Sequence, residues 1–173
     1  MTESLKYWGK YRGTVLNNVD PRQIGRIQVL VPDVSGAAPT TWAMPCAPYG
    51  GISAGMFAVP LPGTGVWIEF EHGDPDYPIW VGTFWGSAGE TPVLAKTAPP
   101  PTPAITLQTP LKNGMVISDA AGPSGVGGIT LQTATGAMIA INEVGITITN
   151  GKGAIISLTG PTVDVNFGAL TIT

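Results

Sequence analysis

The chain has 173 residues, 43% of them hydrophobic and only 11% charged, with a formal net charge of −3 at pH 7. A mean hydropathy of +0.24 excludes a disordered chain, which would be highly charged and poor in apolar residues. The acidic balance argues against nucleic-acid binding, which requires a basic surface. A single cysteine, Cys46, excludes both a disulfide framework and a cysteine-based zinc site.

The N-terminal residues MTESLKYWGKYRG lack the apolar segment of a signal peptide. No stretch of the chain reaches the roughly 20 apolar residues that a membrane-spanning helix needs. We therefore expect the protein to be made in a cytosol.

Residues 1–86 show strand alternation and almost no helical periodicity. In residues 25–32, for example, Ile27, Val29 and Val31 are predicted to share one face. The strand at residues 41–48 is weakened by Pro45, which suits a sheet edge. Short strands with a long connection between the third and the fourth predict a small Greek-key barrel of the OB type. The predicted strands are residues 8–17, 25–32, 41–48, 66–71 and 79–86.

The second half of the chain is repetitive. A proline-rich stretch at 87–104 is predicted to be a semi-extended linker between an OB domain at 1–86 and a β-helical domain at 105–173. The segment ITLQT occurs at Ile105–Thr109 and again at Ile129–Thr133. Glycines recur about every eight residues from Gly128 to Gly168, which predicts regular octad-like strand repeats over 129–173.

The length of this repeat predicts a trimer. Eight extended residues span roughly 26 Å at about 3.3 Å each, enough for one side of a prism only. One chain therefore cannot enclose its own apolar row, whereas three chains around a threefold axis can. The residues predicted to form the trimer core are Ile129, Leu131, Ile139, Ile141, Ile146, Ile148, Ile156, Leu158, Val163, Val165, Leu170 and Ile172.

Two blocks of sequence resemble one known family. The run YRGTVLNNVDPRQIGRIQVLVPD is similar to the N-terminal OB domain of contractile-tail spike proteins, which include phage baseplate assembly protein V, the phage T4 spike and the VgrG proteins of type VI secretion. A second block, PLPGTGVWIEFEHGDPDYPIWVGTFWG, and the C-terminal repeats follow in the family's order. The motif residues that carry the resemblance are Gly13, Asp20, Pro21, Gly25, Arg26, Gly73, Asp74, Pro75 and Asp76.

The resemblance implies an all-β homotrimer, with OB barrels at the base and an intertwined triple-stranded β-helix above them. It implies a membrane-puncturing spike without enzymatic activity, assembled in the bacterial cytoplasm into a virion tail or an injection particle. The partners implied are hub and tail-tube proteins at the OB end and a PAAR-like tip protein at the C-terminal end. This chain has no lysozyme domain between barrel and β-helix, and its only histidine, His72, lies in the barrel. We therefore expect neither a metal tip nor a cofactor.

The chain ends on FGALTIT, which alternation predicts to be a strand from Phe167 to Thr173. Phe167, Leu170 and Ile172 are predicted to continue the apolar row towards the threefold axis. The last strand would leave an open edge at the end of the prism. We predict that Leu170, Thr171, Ile172 and Thr173 form a platform on which the tip protein docks.

The segment EFEHGDPDY holds the densest group of chemically active side chains. These could form a metal site or a carboxylate pair for glycoside hydrolysis. The interpretation we favour is an exposed strand face followed by a turn in which Asp74 accepts backbone N–H groups. Cys46 and His72 could be paired as nucleophile and base, but a buried, inert thiol is favoured.

Three further features remain open at this point. Arg26 could bind a partner or form a salt bridge with Asp33. The apolar loop Pro48–Gly65 suits burial at a subunit or hub interface. The tryptophans suit core packing and subunit contacts rather than base stacking. The alternative function is a β-helical phage depolymerase or polysaccharide-binding protein, for which residues 105–173 offer only the carboxylates of Asp119, Glu143 and Asp164.

Overall fold

The computed structural model of the protein describes residues 5–172, which divide into two compact units, one ending at Ala88 and the other beginning at Gly89. Each unit is built around its own sheet. Helical structure is confined to a few single turns. The prediction of an all-β chain, with an OB-type barrel followed by a repetitive sheet, is confirmed.

The sheet of the first unit has five strands in the order β2-β1-β6-β7-β3, and β4 pairs with β5 in a separate hairpin. All pairs are antiparallel except β3 with β7. The predicted third strand shrinks to β3, which lies at the sheet edge, because proline has no N–H to donate to a ladder. The elements are β1 (Tyr11–Asn17), β2 (Gln28–Leu30), the one-turn helix α1 (Pro32–Ser35), β3 (Met44–Pro45), β4 (Gly50–Gly51), β5 (Ala54–Gly55), β6 (Gly65–Phe70), a 3₁₀ turn (Glu71–Gly73) and β7 (Pro78–Phe84).

The barrel core is formed by the predicted alternating positions. Ile27, Val29 and Val31 are fully buried, and so are Val66 and Ile68 on β6. Their neighbours in sequence point the other way, as a strand period of two requires. The first unit therefore closes a hydrophobic core within one chain.

The turn between β1 and β2 is held by one carboxylate. Oδ1 of Asp20 accepts the N–H of Arg22 at 2.9 Å, and Oδ2 accepts the N–H of Ile24 at 3.0 Å and that of Arg26 at 3.2 Å. The guanidinium of Arg26 adds Nε at 3.1 Å and Nη2 at 2.6 Å, both to Oδ1. The Arg26 guanidinium, supported by the three N–H groups and opposed by burial, holds the pKa of Asp20 well below its usual range.

The second unit is a single eight-stranded antiparallel sheet in which each strand pairs with the next along the chain. A 3₁₀ turn (Leu94–Thr97) precedes it. The strands are β8 (Ala104–Gln108), β9 (Gly114–Ser118), β10 (Gly128–Gln132), β11 (Met138–Asn142), β12 (Gly145–Thr149), β13 (Ile155–Thr159), β14 (Thr162–Val165) and β15 (Leu170–Ile172).

The spacing of these strands differs from the predicted regular octads. From β10 to β14, successive strands begin ten and seven residues apart in alternation. The reason is that a meander turns alternately at its two sides, through five-residue loops on one side and two-residue turns such as Glu143–Val144 on the other. Phe167 is also not part of the last strand. It lies in the turn before β15 with φ of 56° and is largely exposed.

The stretch before the sheet is more structured than a semi-extended linker. Leu94 is nearly buried, and its backbone N–H donates to Oε1 of Gln108 in β8 at 2.8 Å. Ala98, after the 3₁₀ turn, is also nearly buried. These contacts hold this turn against the sheet of its own unit.

We expect Ile27→Ala to destabilise the barrel by about 2–5 kcal/mol, since it removes most of a fully buried side chain. All five tryptophans lie before residue 86, so tryptophan fluorescence during denaturant unfolding reports on this unit alone. Ile24→Ala is the matched control, because Ile24 is 43% exposed. Equal losses for the two variants would contradict the assignment of the core.

We expect Asp20→Asn to lower the unfolding temperature at pH 7. The difference in unfolding temperature between the variant and the unmodified protein should become smaller as the pH falls towards 3. A carboxyl whose folded-state pKa is depressed contributes stability above its unfolded pKa of about 4, and that contribution is lost as the pH falls further. Tryptophan fluorescence melts between pH 3 and pH 7 measure both effects. A difference in unfolding temperature that does not change with pH would show that the charge of Asp20 does not stabilise the fold.

Candidate functional site

One face of the second sheet carries nearly all of its large aliphatic side chains. The register places Ile129 opposite Ile141 and Leu131 opposite Ile139, and the same alignment continues across every strand pair. The result is two parallel columns of eight side chains, which we call the aliphatic face. The first column is Ile105, Ile117, Ile129, Ile141, Ile146, Leu158, Val163 and Ile172; the second is Leu107, Met115, Leu131, Ile139, Ile148, Ile156, Val165 and Leu170.

All twelve residues predicted for the trimer core lie in these columns. The prediction missed the first two rows, formed by Ile105, Leu107, Met115 and Ile117, because it counted repeats only from residue 129. The repeated ITLQT was the available signal. Its two copies occupy β8 and β10, so that Ile105 and Ile129 fall in the same column.

The aliphatic face is not covered by its own chain. Twelve of its sixteen side chains are more than a third exposed, from 36% for Ile117 to 62% for Ile105. Full burial of such a side chain contributes about 1.5–3 kcal/mol of hydrophobic stabilisation. Summed over the exposed parts of the twelve side chains, the stabilisation missing in a single chain is on the order of 10–20 kcal/mol. This is comparable to the entire net stability of a typical domain, about 5–15 kcal/mol. Covering the face therefore decides whether the sheet is stable.

The opposite face of the sheet is different in character. Its central positions are mostly small or polar, such as Thr130, Ala140 and Ser157, with the buried Val116 as an exception. Leu94 lies against it at Gly114, where an added Cβ would come within 2.7 Å of Leu94 Cδ1. Only the aliphatic face is thus suited to burial against another large apolar surface.

The first motif block forms a compact internal network in the barrel. Gly25 has φ of 81°, and an added Cβ would lie 3.2 Å from a ring carbon of Phe57. Its carbonyl accepts the indole N–H of Trp80 at 3.0 Å. Arg26 lies over the ring of Trp42, 5.2 Å from its centroid, while it pairs with Asp20. Of the two alternatives left open for Arg26, the salt bridge with Asp33 is not formed, since the guanidinium is bound by Asp20 within the same block.

The other residues of the first block have steric roles that the sequence motif did not specify. Gly13 is buried in β1, where an added Cβ would lie 3.2 Å from both Ile68 Cγ1 and the carbonyl oxygen of Leu30. Pro21 is exposed at the turn held by Asp20. Neither residue carries a reactive group, so this part of the motif shapes the barrel rather than a chemical site.

The second motif block forms the turn that follows β6. Gly73 has φ of 72°, its carbonyl accepts the N–H of Tyr7 at 2.9 Å, and an added Cβ would lie 3.2 Å from Trp8. Oδ1 of Asp74 accepts the N–H of Asp76 at 3.1 Å, across the exposed Pro75. The interpretation of this segment as a structural turn is therefore confirmed. Within residues 5–172, no group of three or more His, Cys, Asp or Glu side chains is arranged to hold a metal ion.

A groove of about 1280 Å³ lies beside the loop Pro48–Gly65 in the first unit. Its walls include Tyr49, Met56 and Phe57 of the loop and Trp80 of β7. Cys46 also lines it and is exposed, so the expectation of a buried thiol is wrong. The cause is that β3 ends at Pro45, which leaves Cys46 at the rim instead of in a core strand.

Two tryptophans depart from the expected core packing. Trp8 and Trp85 are mostly exposed, whereas Trp42, Trp67 and Trp80 are partly buried.

Among residues 5–172, no helix combines the length and the hydropathy needed to cross a membrane.

Comparison with known families gives two matches that together cover most of the chain. Residues 11–85 match the type VI secretion system/phage-baseplate injector OB domain. Residues 104–171 match the phage baseplate V C-terminal trimerisation domain, which spans the aliphatic face almost completely. Comparison with curated proteins finds no match. The chain belongs to the phage baseplate V family of injector spike proteins, and it is a homotrimeric component of a virion tail or injection-particle baseplate.

Proposed function

We propose that three copies of this chain form the central spike of a contractile injection machine, a needle that pierces the target membrane and connects the baseplate hub to a tip protein. The observation that carries the proposal is the aliphatic face, two columns of eight side chains that one chain leaves uncovered. Three such faces turned towards a common axis bury one another. The trimerisation domain matched over the same residues supports this arrangement.

Stiffness follows from the way in which such a needle is bonded. In each sheet every inner strand is hydrogen-bonded to both of its neighbours. The interior would be filled with branched aliphatic side chains, which have few rotamers and pack densely. Compression along the axis would then act on continuous hydrogen-bond ladders and a packed apolar core.

The two ends of the needle would bind different partners. Hub and tail-tube proteins would bind the barrel unit, whose sequence blocks match the injector OB domain. At the other end, within residues 5–172, β15 is an edge strand paired with β14, and a PAAR-like tip protein would bond to its outer backbone groups. Leu170, Thr171 and Ile172 lie in this strand, and Thr173 lies outside the described residues. Assembly would take place in the bacterial cytoplasm.

We propose a mechanical role without catalysis or a cofactor. The carboxylates expected of the alternative, a β-helical depolymerase, are dispersed: Asp119 follows β9, Glu143 lies in the turn after β11, and Asp164 lies in β14. Oδ1 of Asp164 accepts the N–H of Gly168 at 2.9 Å and so holds a turn. Their dispersal over separate strands and turns favours the mechanical role over the two-carboxylate mechanism of glycoside hydrolysis.

We expect Ile148→Asp to abolish trimer formation. The substitution places three carboxylates in the apolar interior, and burying an unpaired charge costs several kcal/mol. Light scattering should give three times the 17.8 kDa chain mass for the unmodified protein and a smaller or aggregated species for the variant. Val144→Asp is the matched control, because Val144 is 61% exposed in a turn, and it should remain trimeric. A monomeric unmodified protein would refute the spike, and glycan cleavage by the trimer would favour the depolymerase.

We expect Ile172→Asp to retain the trimer and to lose the tip protein. Ile172 is the last member of its column, so seven rows of the aliphatic face stay intact while the terminal strand gains a charge. Co-expression with a PAAR-like protein, followed by size-exclusion chromatography with light scattering, measures both properties. Val144→Asp should bind the tip as the unmodified trimer does. A trimer that binds no tip, or an Ile172→Asp variant that binds it normally, would contradict docking at β15.

A further inference from the structure

The hairpin formed by β4 and β5 is the least supported part of the barrel unit. Each of its strands has two residues. At the base of the hairpin, the N–H of Met56 donates to the carbonyl of Tyr49 at 3.0 Å. Ile52 at its tip is fully exposed. A two-stranded hairpin is marginally stable in water on its own, and an isoleucine held at its tip gains nothing from solvent. Both features make this tip a candidate for an interface with another chain.

The groove beside the hairpin is larger than typical small-molecule pockets, and its lining is uncharged. Its volume of about 1280 Å³ exceeds the roughly 300–1,000 Å³ of typical small-molecule pockets. The residues that line it include no charged side chain and no histidine. A neutral, apolar segment of polypeptide fits such a groove best.

Trimerisation supplies a segment of this kind. A contact that closes around a threefold axis is heterologous, so it needs two different complementary patches on the same subunit. The barrel unit has two such patches. One is the exposed Ile52 at the hairpin tip, which is not among the residues that line the groove, and the other is the groove itself, one wall of which is formed by the rest of the hairpin. Subunits joined through the aliphatic face would present these patches to one another at effective concentrations of the order of millimolar.

We propose that the hairpin tip of each subunit, led by Ile52, enters the groove of the next subunit around the trimer. Three identical contacts then close a ring of barrels. This ring is separate from the contacts of the aliphatic face and requires only the trimer, not the piercing of a membrane or the binding of a tip. Its effect would be to fix the three barrels relative to one another.

Cys46 allows a direct test, because it lines the groove, is exposed and is the only cysteine. In the Ile52→Cys variant, a tip docked in the neighbouring groove can bring the two sulfurs within disulfide range, which requires Cα atoms about 4.4–6.8 Å apart. Mild oxidation of the full-length trimer should then give a covalent trimer on a denaturing gel without reductant. Ile52→Cys combined with Cys46→Ser removes the pair, and Val19→Cys places an exposed cysteine elsewhere on the barrel; neither should give covalent trimers.

A disulfide within one chain, or no cross-link at all, in a sample that light scattering shows to be trimeric would overturn the proposal while leaving the spike intact. A second measurement needs no introduced cysteine. Maleimide labelling of Cys46 in the full-length trimer should be slow, and Ile52→Asp should speed it at least several-fold, whereas Val19→Asp should not. Equal labelling rates in these three proteins would also overturn the proposal.

Discussion

A single-layer sheet cannot bury both of its faces, and this constraint governs the second half of the molecule. The aliphatic face carries two columns of large aliphatic side chains, and in the described residues most of them are more than a third exposed. The register of the strands and the geometry of the turns keep those columns aligned. The strands pair in register, and the turns between them are closed by side chains such as Asn142, whose Oδ1 accepts the N–H groups of Val144 and Gly145. A one-residue slip would move a whole strand's aliphatic side chains to the polar face.

The barrel unit is governed by the opposite condition. Its core side chains are fully buried within one chain, and its longest turn is stabilised internally by Asp20 and Arg26. One unit can therefore reach its folded state before any partner is present, whereas the stability of the other depends on the concentration of chains. This difference suggests an order of events in which barrels fold first and the sheets then associate. Trimer assembly would be the step at which the second unit becomes stable.

Much of the architecture could be predicted because it depends on period-two alternation, which a sequence displays directly. Ile27, Val29 and Val31 fall where their alternation places them, and so do the twelve residues assigned to the trimer core. What the sequence did not reveal depends on contacts between distant residues or on turn geometry. The pairing of Arg26 with Asp20 instead of Asp33 arises from the fold of a turn, the exposure of Cys46 from where β3 ends, and the position of Phe167 from a left-handed turn. Glycine spacing gave the mean repeat but not its alternation between ten and seven residues.

That alternation has a consequence for how such a sheet can change in length. After two strands and two turns, the chain again runs in its original direction, and its side chains fall in the same columns. The two copies of ITLQT show this, because they lie in β8 and β10, two strands apart. Neighbouring strands lie about 4.8 Å apart, so the eight strands span roughly 34 Å across the sheet, and one further pair adds about 10 Å. Such an insertion would leave the columns, and hence the cross-section of a trimer, unchanged. An insertion of one strand would instead reverse the chain direction at the terminal edge, so lengthening in pairs is the change that preserves both the core and the edge at β15.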